Sequence, residues 1–292
     1  MNATSRLLAP CKVNLHLGVH VEKDDRGYHH VDSVMVPVDL YDEIRIEDAS
    51  ELSVSYEPDL GIPIERTCVW QAATLLAEAL GVAPNVSIRV SLRIPERAGL
   101  GGSSADGGTV LRALAKRWGV DPLDARVVAV AQHVGADVAF FLHPAPSLWV
   151  GAGDTLAEMY SDLDLPLALV TPGSIGASTK AVYDEFDRRP EEPQSYEPLC
   201  AALRLGNADN VPELLANNLA PAAVRLTPAV GEVERWLQGQ SGVVAAQVTG
   251  SGACSFAICE SFLVAERVAE CASNKGWWSF ATRTVGSWGE VC

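Results

Sequence analysis

The sequence predicts an α+β protein of two domains. Its 292 residues exceed the length at which one hydrophobic core usually divides into two. Alternating strand patterns dominate residues 6–56, and a strand, a glycine-rich loop and a helix follow one another between residues 88 and 119. Strands and helices are mixed again beyond a change of pattern near residue 162. These observations predict two mixed domains, residues 1–162 and 163–292.

The elements of the first half follow from hydrophobic periodicity. Apolar residues that alternate with polar ones predict strands, and an apolar stripe at helical spacing predicts helices. Residues 24–27 read as a turn, and Gly81 ends the first helix. The predicted strands are 13–19, 31–38, 44–47, 52–56 and 88–94. The predicted helices are 66–80, 106–119 and 122–134.

The second half reads as strand, helices, hairpin, helix and strand. The predicted strands are 167–170, 243–248, 254–259 and 279–284. The predicted helices are 178–187, 208–217, 227–239 and 261–273, and residues 188–198 form a loop rich in proline and glutamate. This order predicts a ferredoxin-like two-layer domain.

Charge and cysteine usage exclude several classes of function. The net charge of −15 and the pI of about 4.8 argue against nucleic-acid and acidic-membrane partners, which need a positive surface. A nucleotide or phosphate remains possible in a local site. Seven scattered cysteines, without a C-x-x-C pair, indicate reduced thiols and a cytoplasmic protein. The N-terminus lacks a signal-peptide pattern, and no apolar run is long enough to span a membrane.

A glycine-rich loop joins the strand at 88–94 to the following helix. Glycines allow a close backbone approach, and the unpaired amides at a helix N-terminus attract phosphate. The loop lacks the lysine of a Walker P-loop and the spacing of a dinucleotide fingerprint. A ligand-free surface turn is the alternative, and Ser104 could serve only as the helix N-cap. The loop residues are Pro95, Glu96, Arg97, Ala98, Gly99, Leu100, Gly101, Gly102, Ser103, Ser104 and Ala105.

A second glycine motif, Thr249-Gly250-Ser251-Gly252-Ala253, follows a predicted strand in the second half. Together with Pro95-x-x-x-Gly99-Leu-Gly-Gly-Ser-Ser, it resembles the GHMP superfamily of galactokinase, homoserine kinase, mevalonate kinase and phosphomevalonate kinase. The resemblance implies a two-domain GHMP kinase fold. Its N-terminal domain is like ribosomal protein S5 and its C-terminal domain is ferredoxin-like. It also implies Mg²⁺ and ATP, with ATP on residues 95–105.

Five further pieces resemble the GHMP branch that phosphorylates the 2-hydroxyl of a cytidine-diphosphate-linked methylerythritol in non-mevalonate isoprenoid synthesis. They are Ala9-Pro-Cys-Lys12-Val-Asn14-Leu-His-Leu, Arg26-Gly-Tyr28-His29, Leu40-Tyr-Asp, Gly135-Ala-Asp137-Val and Ser178-Thr179-x-x-Val-Tyr183. They cover nearly the whole chain in the family's order. The chain departs from the pattern at Ser103, where a third glycine is usual, and at Asp154, where glutamate is usual.

The resemblance assigns catalysis to two residues. Asp137 becomes the base that accepts the proton of the attacking hydroxyl, although an aspartate in a short loop often only forms a turn. Lys12 becomes the cation that stabilises the transferring phosphoryl group, although a strand lysine is often only a solvated side chain.

The resemblance also implies substrate contacts for Asn14, Tyr28, His29, Thr179 and Tyr183. Tyr28 and Tyr183 would stack on cytosine, His29 would read the base edge, and Asn14 would bind the polyol. Packing at the edge of the core is the alternative for the aromatic residues. His16 and His20 read as structural, because their spacing on a strand gives no compact metal site.

Two other functions stay open at this point. One is a GHMP kinase for mevalonate or homoserine, whose substrate has no base to stack. The other is a non-catalytic nucleotide-binding regulator, which would not need Lys12 or Asp137. The sequence leaves the Mg²⁺ ligands open, and the oligomeric state open between a monomer and a weak dimer.

Overall fold

The computed structural model describes residues 5–173 and 176–286. The strands are β1 (Ser5–Lys23), β2 (His29–Asp48), β3 (Ser53–Glu57), β4 (Val86–Ser91), β5 (Ser147–Val150), β6 (Thr155–Met159), β7 (Pro166–Thr171), β8 (Ala216–Asn217), β9 (Val243–Val248), β10 (Ser255–Cys259) and β11 (Trp278–Arg283). The helices are α1 (Cys68–Leu80), α2 (Gly102–Arg117), α3 (Ala125–Val134), α4 (Thr179–Arg188), α5 (Glu197–Arg204), α6 (Ala220–Leu226), α7 (Pro228–Gln238) and α8 (Phe262–Ser273). None of the helices in these ranges is both long and apolar enough to cross a membrane.

The first sheet has seven strands built around the long antiparallel pair β1 and β2. Its strand order is β3-β4-β2-β1-β8, and the β5–β6 hairpin attaches to β2. Leu15 packs in the core with Cys11 and Val13, as strand alternation dictates, and the register of β1 shifts between Asn14 and His16. Lys12 and Asn14 stay side by side on the opposite face, where both side chains reach the cavity described below.

Helices α1, α2 and α3 cover the first sheet. The apolar stripe of α1 buries Val69 and Leu76 against Ile44, Ile88 and Leu111. Thr67 caps α1 by accepting a hydrogen bond from the amide of Trp70 at 3.3 Å, and Gly81 ends it with a φ of 66°. The helix predicted over 66–80 is thus confirmed within two residues.

The second sheet has four antiparallel strands in the order β11-β7-β10-β9. Helices α7 and α8 pack on one face of it, where Val233, Leu237 and Val268 meet Ala257. A four-stranded antiparallel sheet in this order, with two helices on one face, is the ferredoxin-like arrangement, so the α+β prediction is confirmed in both halves.

The two halves share a hydrophobic core. Val13 and Val36 of the first sheet pack with Leu169 and Phe256 of the second. Strand β8 pairs with β1, and the Val285 amide donates to the Pro37 carbonyl at 3.0 Å. The boundary between residues 162 and 163 remains a prediction.

Some predicted elements are wrong. The helix predicted over 208–217 is a 3₁₀ segment, Ala208–Leu214, followed by β8, because Pro212 lacks an amide hydrogen for an α-helix. Helices α5 and α6 and the β5–β6 hairpin were not predicted. Helix α2 begins at Gly102 rather than after Asp106, so Gly101 is the N-cap and Ser104 lies inside the first turn. The proposed capping role of Ser104 is therefore wrong.

Candidate active site

A cavity of about 940 Å³ lies between the two halves. The loop 95–104 and the first turn of α2 line one side of it. The start of β2 and helix α4 line the other side. Lys12 and Asp137 also line the cavity. Every predicted site residue therefore lines it except Ala105, which is buried in the core.

The first glycine loop requires its glycines for a structural reason. Gly99 and Gly101 both have a φ of 75°, in the left-handed region. A Cβ on Gly99 would lie 2.2 Å from the Thr249 carbonyl oxygen, and one on Gly101 would lie 3.2 Å from the Lys12 side chain. The loop therefore lies directly against the second glycine motif and against Lys12. Within the first loop, the backbone carbonyl of Leu100 accepts a hydrogen bond from the backbone amide of Lys12 at 2.9 Å.

The second glycine motif is hydrogen-bonded to the first. The Ala253 amide donates to the Arg97 carbonyl at 3.1 Å, and the Cys254 amide donates to the Ala98 carbonyl at 2.9 Å. These bonds fix the position of the loop before α2. The amides at the start of α2 have no intrahelical acceptor and lie at the positive end of the helix dipole. An anion in the cavity would meet them directly.

Lys12 is buried and held by a polar network. Its Nζ donates to Asn14 Oδ1 at 2.7 Å and lies 3.5 Å from Asp137 Oδ2. Thr249 Oγ1 donates to the same Asn14 oxygen at 3.0 Å and accepts from the Asn14 amide at 3.0 Å. Asn14 Nδ2 donates to Ser33 Oγ at 2.8 Å. The ammonium group is thus aimed at a carboxylate whose side chain is 35% exposed to the cavity.

Aromatic side chains occupy the far end of the cavity. The Tyr183 ring lies 5.4 Å from the His29 ring, whereas Tyr28 is 57% exposed at the mouth with the Arg26 guanidinium 5.4 Å from its centre. Thr179 begins α4, and its hydroxyl lies 3.1 Å from Ser251 Oγ. Burial, and secondarily the charge of Asp137, raises the pKa of the Tyr183 phenol.

His29 points both ring nitrogens at the protein. Its Nδ1 lies 2.6 Å from the His20 carbonyl oxygen, and its Nε2 lies 3.0 Å from Asp187 Oδ1. The neighbouring His16 and His20 direct their Nε2 atoms at the Asp32 carboxylate. Burial opposes ionisation of Asp32, but the hydrogen bonds from the two histidines hold the pKa of this carboxyl below its usual value.

Two buried carboxyl groups beneath the glycine loop were not recognised from the sequence. Asp42 Oδ1 accepts from the amides of Arg93 and Ile94 at 2.5 and 2.8 Å. No described residue donates to Asp42 Oδ2 or Asp106 Oδ1. Burial raises the pKa of both groups, well above the usual value for Asp106, where the charge of Asp42 adds to the effect. Asp106 lies beyond the first turn of α2, so it does not interact with the amides at the start of that helix.

The cavity offers oxygen ligands for a divalent cation. Mg²⁺ takes oxygen ligands and typically binds one or two carboxylates together with substrate phosphates. The Asp137 carboxylate and the Ser104 hydroxyl line the cavity and are ligands of this class. Within residues 5–173 and 176–286, no group of three or more His, Cys, Asp or Glu side chains is arranged to hold a metal. The residues fit a cation that arrives with a nucleotide.

Comparisons with known proteins agree with this geometry. Residues 67–144 match the family described as GHMP kinases N terminal domain, and residues 199–276 match GHMP kinases C terminal. The chain is 38% identical over 261 residues to 4-diphosphocytidyl-2-C-methyl-D-erythritol kinase of Mycobacterium tuberculosis, covering 86% of this chain and 81% of that protein. It is 37% identical over 279 residues to the enzyme of that name from Nocardia farcinica, covering 92% and 89%.

A solved structure gives the same result. The crystal structure of a 4-(cytidine 5'-diphospho)-2C-methyl-D-erythritol kinase superposes with a TM-score of 0.78 at 30% identity, over 97% of this chain and 100% of that one. The fold and the cavity thus define a GHMP kinase, a small-molecule kinase that uses ATP. Within this class, the chain belongs to the 4-diphosphocytidyl-2-C-methyl-D-erythritol kinase family.

Proposed function

We infer that this protein transfers the γ-phosphoryl group of ATP to the 2-hydroxyl of 4-diphosphocytidyl-2-C-methyl-D-erythritol, a step of non-mevalonate isoprenoid synthesis. Relatives with this printed activity match most of the chain, which favours this substrate over mevalonate or homoserine. The observation that carries the proposal is the 3.5 Å contact between Lys12 Nζ and Asp137 Oδ2, beside the glycine loop. A nucleotide-binding regulator would not need a buried lysine held against an accessible carboxylate.

Asp137 and Lys12 have complementary roles in the proposed reaction. The Asp137 carboxylate accepts the proton of the 2-hydroxyl as its oxygen attacks the γ-phosphorus. The bond from the γ-phosphorus to the β,γ-bridging oxygen breaks, and ADP leaves. Lys12 stabilises the negative charge on the transferring group, and its hydrogen bond to Asn14 keeps the ammonium in place during the transfer.

Residues 95–105 bind the triphosphate in this proposal. The amides at the start of α2 donate to phosphate oxygens, and the Ser103 and Ser104 hydroxyls add further donors. Ala105 packs in the core and supports the loop rather than contacting the nucleotide. The Ser104 hydroxyl would hold Mg²⁺ together with the phosphates. When bound, this ion neutralises charge on the β- and γ-phosphates.

The far end of the cavity takes the cytidyl substrate. The Tyr28 ring comes from the turn before β2, and the Tyr183 ring comes from α4. Thr179 adds a hydroxyl group at the start of α4. We propose that His29 helps to orient the base, because its ring packs against the ring of Tyr183. We propose that Asn14 contacts the polyol through its second Nδ2 hydrogen, because Oδ1 already accepts from Lys12 and Thr249 and the first Nδ2 hydrogen is donated to Ser33.

We propose that the protein acts in the cytoplasm. We also propose that residues 1–162 form the ATP-binding N-terminal domain and that residues 163–292 form the C-terminal GHMP kinase domain. The six cysteines among the described residues are free thiols, four of them buried, which suits a reducing compartment. The partners are ATP and the small-molecule substrate.

A coupled ADP-release assay tests the function. Purified protein is given MgATP with the cytidyl substrate, mevalonate or homoserine in separate reactions. We expect turnover with the cytidyl substrate and at most trace turnover with the other two. Turnover of mevalonate or homoserine instead would contradict the proposed substrate, and absence of turnover with all three would contradict an active kinase of this specificity.

A further inference from the structure

Strand β8 brings the second half of the chain against β1, the strand that carries the buried lysine of the site. Ala216 pairs with His16 and Asn217 pairs with Leu17, both in parallel. This pairing is only two residues long. The side chain of Asn217 extends the connection from β1 to the second glycine motif.

The amide group of the Asn217 side chain is bound to backbone on both of its ends. Its Nδ2 donates to the carbonyl oxygens of Val248 and Gly250, each at 2.9 Å. Its Oδ1 accepts from the Leu219 amide at 3.0 Å. Because a carbonyl oxygen only accepts and a backbone amide only donates, these contacts fix which end of the side chain carries the oxygen. Asn217 therefore holds the second glycine motif through two hydrogen bonds.

The two carbonyl groups that Asn217 holds lie on either side of Thr249. Thr249 exchanges two hydrogen bonds with Asn14, whose side-chain oxygen also accepts from Lys12 Nζ. Gly250 approaches the same ammonium group, since it has a φ of 56° and an added Cβ would lie 3.4 Å from Lys12 Nζ. The segment held by Asn217 thus forms part of the surroundings of Lys12.

We propose that Asn217 is a positioning residue for phosphoryl transfer, which keeps Lys12 beside Asp137 by holding the backbone on both sides of Thr249. The inference rests on the proposed function for the role of Lys12. Asn217 is not one of the described residues that line the cavity, so its side chain acts on the reaction only through other residues.

Asn217→Asp tests the two donated hydrogen bonds. Aspartate has the same shape and can still accept from the Leu219 amide, but it sets an oxygen against the carbonyl groups of Val248 and Gly250. We expect kcat to fall about 10- to 100-fold, with KM for ATP and for the cytidyl substrate within about threefold of wild type. Asn217→Ala removes the same donors without adding a charge, and it serves as the second variant if the aspartate variant does not fold.

Asn218→Asp is the matched control at the next position of the chain. The Asn218 Nδ2 donates to the carbonyl oxygens of Val19 and Glu191 at 2.8 and 2.7 Å, and its Oδ1 accepts from the Val19 amide at 2.8 Å. The same substitution therefore opposes two carbonyl groups here as well, but neither belongs to a glycine motif. We expect a comparable fall in Tm, while kcat stays within about threefold of wild type.

The position of the Lys12 ammonium group can also be followed without turnover. Its protons are buried and hydrogen-bonded, so ¹H–¹⁵N NMR can detect them, and the signal is assigned by its loss in Lys12→Arg. Asn217→Asp, or Asn217→Ala in its place, should shift this signal. Asn218→Asp should leave it where it lies in wild type.

The outcomes separate this inference from the proposed function. A kcat that falls equally in the Asn217 and Asn218 variants, a kcat unchanged by the Asn217 substitution, or a Lys12 signal that this substitution does not move would overturn the role of Asn217. A Lys12 signal that depends on Asn217, in a protein that does not phosphorylate the cytidyl substrate, would support the link to Lys12 and contradict the proposed function.

Discussion

Thr249 exchanges two hydrogen bonds with Asn14 across the junction of the two halves. Its hydroxyl donates to Asn14 Oδ1 and accepts from the Asn14 amide, both at 3.0 Å. Because Asn14 Oδ1 also accepts from Lys12 Nζ at 2.7 Å, the second half of the chain helps to set the position of Lys12.

Removing the Thr249 hydroxyl should lower kcat more than it changes KM. Thr249→Val leaves a buried amide without its acceptor, which costs about 1–3 kcal/mol, and frees the Asn14–Lys12 pair. We expect kcat to fall about 10- to 100-fold, with KM for both substrates within about threefold. Thr249→Ser keeps the hydroxyl and should stay close to wild type. Steady-state kinetics checks this, and equal kcat values for the Val and Ser variants would contradict it.

Gly99→Ala should disrupt the joined glycine loops. The added Cβ would lie 2.2 Å from the backbone oxygen of Thr249, which cannot move without displacing the second loop. Gly119→Ala is the control, because Gly119 has a similar φ of 73° and no atom of a described residue lies within 4 Å of an added Cβ. The control should cost about 1–2 kcal/mol from backbone strain alone. Gly99→Ala should lose more stability and weaken ATP binding at least about tenfold, as measured by melting and calorimetry. Equal effects of the two changes would contradict the close packing of the loops.

Tyr183→Ala should weaken binding of the cytidyl substrate selectively. Stacking on an aromatic ring contributes about 1–3 kcal/mol per base, so KM for this substrate should rise about 10- to 100-fold while KM for ATP stays constant. Tyr183→Phe keeps the ring and should be nearly silent. Melting curves control for the lost contact with His29, whose ring lies 5.4 Å away. A KM for the cytidyl substrate unchanged by Tyr183→Ala would rule out the stacking role.

Asp106 should make the protein less stable as the pH rises. Burial, and then the charge of Asp42, raises its pKa well above the usual value in the folded state. Between the unfolded pKa of about 3.9 and the raised folded pKa, the folded state binds more protons, so the free energy of unfolding falls as pH increases. Asp106→Asn should therefore raise Tm in the absence of ligands, by more at pH 8 than at pH 5.

Asp124→Asn is the opposite control for this pH experiment. The Arg126 side chain, followed by the Arg126 amide, lowers the pKa of Asp124 to about 2. This exposed carboxylate stabilises the fold above its unfolded pKa, so its removal should lower Tm slightly at both pH values. A Tm difference between Asp106→Asn and wild type that does not vary with pH would contradict the buried, proton-holding state of Asp106.

Local patterns predicted much of this structure. The two glycine motifs, the helix that Gly81 ends and the ferredoxin-like order depend on neighbouring residues and on periodicity, which a sequence displays directly. The helix predicted over 208–217 is wrong for two reasons. Pro212 prevents a regular α-helix despite the helical spacing of apolar residues, and residues 216–217 pair with β1 as strand β8.

The missed parts of the site depend on contacts between distant residues. Asp187 reaches His29 from a different element, and Thr249 reaches Asn14 across 235 positions of sequence. Asp42 and Asp106 look like ordinary polar residues in the sequence, because only the packed fold removes them from water. The protein contacts of the His29 ring were not predicted for the same reason, since its partners His20 and Asp187 are brought to it by the tertiary fold.

The central claim is that Asp137, paired with Lys12, accepts the proton of the attacking hydroxyl. The most direct test compares kcat and ATP affinity of Asp137→Asn with wild type, and uses Asp184→Asn as a cavity-lining control. Loss of a general base typically costs about 10²–10⁴-fold in rate, so kcat should fall by that factor while the Kd for ATP stays within about threefold and the control remains active. A kcat of Asp137→Asn close to that of wild type would contradict the account.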